Sequence, residues 1–329
     1  MTPREHPRMP RVSVVVPTYR RPALLARCLE ALAQQDLDAS DYEVVVPDDA
    51  GTEDAQRVVE RAAATARTPV RYVPVEGCHG PAAARNAGWR AARARIIAFT
   101  DDDCIPSAGW LRAGLAAFTP EVTGVQGRLI VPQPPVPTDY EKNAGRLAEG
   151  EFVTANCFYR RDALAAVGGF DERFRVAWRE DSDLFFTLCE RGGTFRRAPD
   201  AVVVHPVRPG RFAVSLREQR KSMFNALLYK KHPSLYRRRI QPAPPWRSYA
   251  TLAAATGALA AASLRQPRWA AASGAVWLAL TARFCARRLD GTSRSPRHIA
   301  EMVLTSAAIP SLSAFWRLRG ALRYRVPFL

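Results

Sequence analysis

Four times within the first hundred residues a short apolar, β-branched run gives way to a different kind of segment, and that alternation limits the fold more than any other feature. Residues 11–17 read as a buried strand closed by Pro17. Leu24, Leu25, Cys28, Leu29 and Leu32 then recur at helical spacing up to Gln35. The pattern repeats as strand 42–47 with helix 54–66, and as strand 70–75 with helix 81–95. A fourth strand, 95–100, runs directly into Asp101-Asp102-Asp103. Such alternation predicts an α/β fold, a doubly wound and mostly parallel sheet with helices on both faces. Ligands of open sheets bind beyond the carboxyl ends of the strands. The polar groups fall there: Thr18-Tyr19 after the first strand, Asp48-Asp49 after the second, Asp101 to Asp103 after the fourth.

Beyond residue 120 the pattern loosens. Residues 131–137 hold four prolines and read as an extended loop, 168–171 as a turn, 180–191 as a helix stopped by Gly192-Gly193, and 201–205 as a closing strand. Residues 208–239 are basic and largely helical with one apolar face. After the proline-rich linker 242–245 come three apolar runs, 249–264, 269–282 and 299–316, in an alanine-rich region. The first would span roughly 24 Å as a helix, short of a hydrocarbon core of about 30 Å. The third contains Glu301 and Pro310. Flanking arginines and tryptophans resemble interfacial anchors. The expectation is a membrane-surface or re-entrant helical pair, the alternative being a small helical bundle packed on the body.

The net charge of +17 is divided unevenly. Residues 1–206 carry 26 Lys/Arg and 28 Asp/Glu, whereas 207–329 carry 22 and 3. The positive third is also the apolar third, which counts against a nucleic-acid-binding protein, although that reading stays open. Six scattered cysteines without a C-x-x-C pair, and no signal peptide, fit a reducing cytoplasm.

Three adjacent carboxylates at a strand end repel one another unless a cation or donors offset them. Asp101 and Asp103 on one side of an extended segment could hold Mg²⁺ or Mn²⁺ beside substrate phosphates, and a solvated acidic turn is the plainer alternative. Further stretches join this one: 12–19 (VSVVVPTY), 43–54 (EVVVPDDAGTED), 80–88 (GPAAARNAG), 99–106 (FTDDDCIP), Asn156 with Arg160-Arg161, 167–174 (VGGFDERF) and 179–184 (REDSDL). In order and spacing they resemble family 2 glycosyltransferases over residues 11–206.

The resemblance implies a GT-A fold and inverting transfer of a sugar from a nucleoside diphosphate sugar, with a UDP-sugar favoured. It implies that Pro17 and Tyr19 meet the nucleoside, that Asp49 accepts a hydrogen bond from the base, and that Arg85 lies near the diphosphate with Asp101 and Asp102 on the donor side. Asp101 and Asp103, with His205 as a further ligand, would hold the Mn²⁺ or Mg²⁺ cofactor. Asp181 would be the general base, with Glu180 and Asn156 on the acceptor side. The family usually shows Asp-Asp-Gly-Ser after the second strand; Pro47 and Ala50 depart from it and make that strand end less regular.

On this reading residues 1–10 are a disordered N-terminus and 11–206 the catalytic domain, with a nucleotide half 11–106 and an acceptor half 107–206. Residues 207–245 are a basic amphipathic segment and linker, and 246–329 a hydrophobic helical region associated with a membrane. The implied partners are the sugar nucleotide, a lipid-linked or saccharide acceptor of cell-envelope synthesis, and an anionic membrane surface on the cytoplasmic side, with no nucleic acid. A nucleotidyltransferase is the other catalytic reading. It would present a glycine-rich phosphate loop, and residues 13–22 contain no glycine.

Overall fold

The computed structural model describes residues 9–328, so most of the N-terminal segment 1–10 lies outside the described residues. The chain divides into two compact units, one of residues up to Pro132 with Arg146–Pro206, the other of Gln133–Gly145 with Val207 onward.

The first unit is built on an eight-stranded sheet of order β3-β2-β1-β4-β7-β6-β8-β5. Strands β1 (Val12–Val15), β2 (Tyr42–Asp48), β3 (Val70–Pro74) and β4 (Ile96–Phe99) pair in parallel. Between them run α1 (Pro22–Ala33), α2 (Glu53–Thr65) and α3 (Pro81–Ala91). Every residue of β1, β2 and β4 is buried, as strands covered on both faces require. Pro47 does not fray its strand: it pairs with Val73, and its carbonyl accepts from the Thr18 N–H at 2.9 Å.

The rest of the sheet is mixed: two of the eight strands run against the other six, so the sheet is mostly but not purely parallel. Strand β5 (Ile105–Pro106) and helix α4 (Trp110–Ala116) precede β6 (Val122–Ile130). Strand β7 (Cys157–Arg160) lies antiparallel between β4 and β6; β8 (Thr194–Val204) is parallel to β6 and antiparallel to β5. The regular strand–helix alternation is broken after β4, where β5 and β7 return antiparallel, and the helical residues 161–167 and 180–190 then lead into β8, again parallel to β6. Their signals are weak for local reasons. Strand β7 has four residues, β6 contains Gly124 and Gly127, and β8 carries Pro199 and Asp200 across a register shift.

The second unit is helical. Helix α5 (Asp139–Gly145) comes from the excursion between the two stretches of the first unit, whereas α6 (Arg161–Val167) and α7 (Glu180–Glu190) belong to the first. The second unit continues with α8 (Val214–Glu218), α9 (Met223–Lys231), α10 (Pro233–Arg239), α11 (Trp246–Ser263), α12 (Pro267–Leu289) and α13 (Pro296–Tyr324). All three apolar runs are helices longer than the runs themselves, because arginines at their ends continue the helix. Inside this unit the buried Arg288 donates to Asp139 Oδ2 at 2.8 Å and to Thr305 Oγ1 at 2.6 Å. The 29 residues of α13 extend about 44 Å. By length and composition it is the one helix among the described residues able to cross a membrane, and 22% of its most apolar stretch is buried. Glu301 is not left bare on it, since its Oε1 accepts from the Ala213 N–H at 2.9 Å.

Candidate active site

Helix α3 is seated against β1 and β2 by Gly88, where an added Cβ would lie 2.4 Å from Val15 Cγ1. At the N-terminus of α3, Gly80 adopts φ +121°, and a Cβ there would lie 3.1 Å from the Arg175 carbonyl oxygen, so the position favours glycine. The Gly80 N–H donates to both oxygens of Asp49 at 3.0 Å, and His79 Nδ1 lies 3.1 Å from Asp49 Oδ1. Asp48 is fully buried and folds the turn after β2, accepting from the Ala50 N–H, the Thr52 N–H and the Tyr72 hydroxyl. Pro17 is half-buried and Tyr19 is exposed at the end of β1.

Arg85 emerges from the buried face of α3. Its Nη2 donates to Asp101 Oδ1 at 2.8 Å and its Nη1 to Glu180 Oε1 at 2.9 Å, while the guanidinium lies 5.9 Å from the Phe170 ring centre. Burial alone would weaken its hold on the proton, but Asp101 and Glu180 outweigh that and its pKa is raised. One cation therefore joins the end of β4 to the start of α7. Burial, opposed by Arg85, pushes the Glu180 carboxyl up from the ordinary range; burial also raises Asp181, against the pull of the Ser182 N–H and of Arg179. The Ser182 N–H donates to Asp181 Oδ1 at 2.6 Å. Arg179, immediately before this pair, holds φ +76° and stacks its guanidinium 4.5 Å from the Trp178 ring centre.

The three adjacent aspartates diverge. Asp101 turns to Arg85. Asp102, buried, accepts from the Thr18 hydroxyl at 2.8 Å and from Arg21 Nη1 at 3.2 Å. Burial pushes its pKa up to about 6 in spite of Arg21 and Thr18. Its oxygens thus tie the loop after β1 to the end of β4. Asp103 lies 3.5 Å from His205 Nε2 and 3.5 Å from Arg21 Nη1. Asn156 also lies inside the fold. Its Oδ1 accepts from Trp110 Nε1 at 2.8 Å and its Nδ2 donates to the carbonyls of Arg128 and Ala201, so its hydrogen-bonding capacity is used inside the fold, where it braces β6 and β8 against α4.

Ligand atoms of Asp103, Cys104 and His205 lie within 4.8 Å of one another, a candidate metal site. Asp101 is not among them; its Oδ1 accepts from Arg85. The donor set suits a hard or borderline cation through the Asp103 oxygen and the His205 nitrogen. His205 Nδ1 is buried with no hydrogen-bond partner, a polar atom the fold leaves over. Cys104 is a poor ligand for such an ion, since burial, then Asp101 and Asp103, hold its thiol protonated far above the ordinary range.

Sequence reasoning placed Thr18 at a strand end without a role and did not single out Arg21, Trp110 or Phe170 for the site. Arg21 had a readable signal, a basic residue shortly after a strand end that faces an acidic cluster. The others are neutral, and only the fold brings them in.

A doubly wound half with a carboxylate cluster at its strand ends, joined through Arg85 to the acidic pair at the start of α7, fits a sugar-nucleotide transferase. A profile of glycosyl transferase family 2 matches residues 13–168, and one of glycosyl transferase family group 2 matches 96–286, more than half of the chain. The chain belongs to glycosyltransferase family 2, a family of GT-A-type fold, and has glycosyltransferase activity with a nucleotide-sugar donor. Glycosyltransferase AglE of Haloferax volcanii is 27% identical over 213 residues, 61% of this chain and 68% of that protein. Validoxylamine A glucosyltransferase of Streptomyces hygroscopicus is 40% identical over 110 residues, 33% of this chain and 26% of that protein, so the chain spans about a quarter of this second relative. A mannosyltransferase from Pyrobaculum calidifontis, solved in complex with GDP-Man and Mn²⁺, shares the fold at a TM-score of 0.57 and 24% identity, covering 94% of this chain and 88% of that one.

Proposed function

We propose that the chain is an inverting, metal-assisted transferase that moves a sugar from a nucleoside diphosphate sugar, with UDP favoured, to a hydroxyl of a lipid-linked or saccharide acceptor in cell-envelope synthesis. The observation that carries this reading is the Asp101–Arg85–Glu180 bridge, in which the buried Arg85 and Glu180 join the partly exposed strand-end Asp101 to the start of α7. Asp181, with burial keeping its proton affinity high, takes the proton from the acceptor hydroxyl as that oxygen attacks. Arg85 keeps positive charge beside the departing diphosphate. Pro17, Tyr19 and Asp49 flank the nucleoside. Asp103 and His205 would hold Mn²⁺ or Mg²⁺, which supplies charge neutralisation of the diphosphate. The charge surplus and the apolar α13 support work at the inner face of a membrane.

Thermal unfolding with UDP, GDP, dTDP and CMP, each with Mn²⁺ or EDTA, tests the donor side. A ligand at about a hundred times its Kd adds about 2.7 kcal/mol. One nucleotide is expected to stabilise the protein only with metal, and Asp103→Ala to lose that effect. Asp181→Asn is expected to keep the shift and lose sugar transfer; transfer at the wild-type rate would remove Asp181 as the base.

A further inference from the structure

The helical second unit holds a pocket that the transfer chemistry leaves unused. It is lined by Arg247 and Ser248 from the first turn of α11, Arg283 and Arg287 from α12, and a floor of Leu280, Phe284 and Pro310. Residues 280, 283, 284 and 287 form one stripe of α12, so two guanidinia and two apolar side chains face the same way. Among the described residues none of Arg247, Arg283 and Arg287 pairs with a carboxylate, and no acidic residue lines the pocket. The three guanidinia are exposed, so solvent screens much of their repulsion, and an anion seated among them relieves the rest. The volume, about 60 Å³, suits a group of a few heavy atoms such as phosphate.

We propose that this pocket binds the phosphate of an anionic lipid. Guanidinium forks match phosphate oxygens, the N-terminal turn of α11 adds its own positive pole, and the apolar floor receives the first methylenes of the chain. The same helices favour a lipid source over free phosphate. Trp246 beside Arg247, Leu278 beside the pocket stripe, and Val276, Leu259 and Trp269 along the hairpin are all large apolar side chains at least half exposed. The inference rests on the membrane-surface part of the reading above and is independent of its transfer chemistry.

The test uses the full chain and flotation with vesicles of phosphatidylcholine alone or with roughly a fifth phosphatidic acid, where each surface Lys or Arg contributes on the order of fivefold. R283Q/R287Q is expected to lower affinity for the anionic vesicles by tens of fold. R283K/R287K, which keeps the charge but loses the forks, is expected to lower it about fivefold. R265Q/R268Q, at the turn between α11 and α12, removes the same charge and is expected to have a clearly smaller effect than R283Q/R287Q. Inorganic phosphate or pyrophosphate at millimolar concentration is expected to leave the protein on the vesicles. Equal losses from the two Gln pairs, wild-type binding by the Lys pair, or release by inorganic phosphate would each overturn the proposal. The nucleotide-induced thermal shift, measured on the same variants, is expected to be unchanged; it reports separately on the fold and on the transferase reading.

Discussion

Arg85 hydrogen-bonds a carboxylate 16 residues away along the chain and another 95 residues away, and its charge opposes the effect of burial on the second, Glu180. Glu180 and Asp181 have proton affinities raised by burial and lowered by this guanidinium. The sign follows directly. A base works ionised, so kcat/KM falls as pH drops through the raised pKa of the pair; the neutral carboxyls favour the fold at low pH, and that contribution is lost as pH rises through the same values. Arg85→Gln removes the lowering influence and is expected to move the acid limb of the kcat/KM profile to higher pH. An unmoved limb would mean that Arg85 does not tune the pair. The residues of this bridge are legible in the sequence because charged groups at strand and helix ends stand out. Their pairing is not, and neither is the direction a side chain takes: Asn156 and Asp102 occupy recognisable motifs yet point into the fold, since spacing records position and not orientation.

At the scale of elements, the parallel half was readable because β1, β2 and β4 are wholly buried and each of β1, β2 and β3 is followed by a helix. The remaining strands were obscured where glycine, proline or shortness hid the period, as in β6, β7 and β8. How closely the elements approach was also unreadable. Gly88 reads as an ordinary residue of a helix, but it lets α3 touch β1. Gly88→Ala places a Cβ against Val15 and is expected to cost about 1–3 kcal/mol through overpacking, measured as a lower urea midpoint at unchanged m. A wild-type midpoint would show that α3 can shift without loss, and Arg85 would then be less firmly placed than its hydrogen bonds suggest.

For the whole molecule, charge is divided by position in the chain: 22 basic residues against 3 acidic after residue 206, and near balance before it. Attraction of such a region to an anionic surface is screened over about 10 Å at 0.1 M salt. Vesicle association is therefore expected to weaken steeply from low to high salt while nucleotide-induced stabilisation changes little. Parallel weakening of both would mean that the donor site, too, depends on long-range charge. The chain also does not place its two units end to end. It leaves the first after Pro132, gives α5 to the second, and returns at Arg146. A truncation at residue 206 would thus be no clean excision: α5 would remain, with the buried Asp139 deprived of Arg288. In modular terms the helical unit is an insertion plus a tail, so exchanging it between relatives takes two junctions, and the two pieces must travel together.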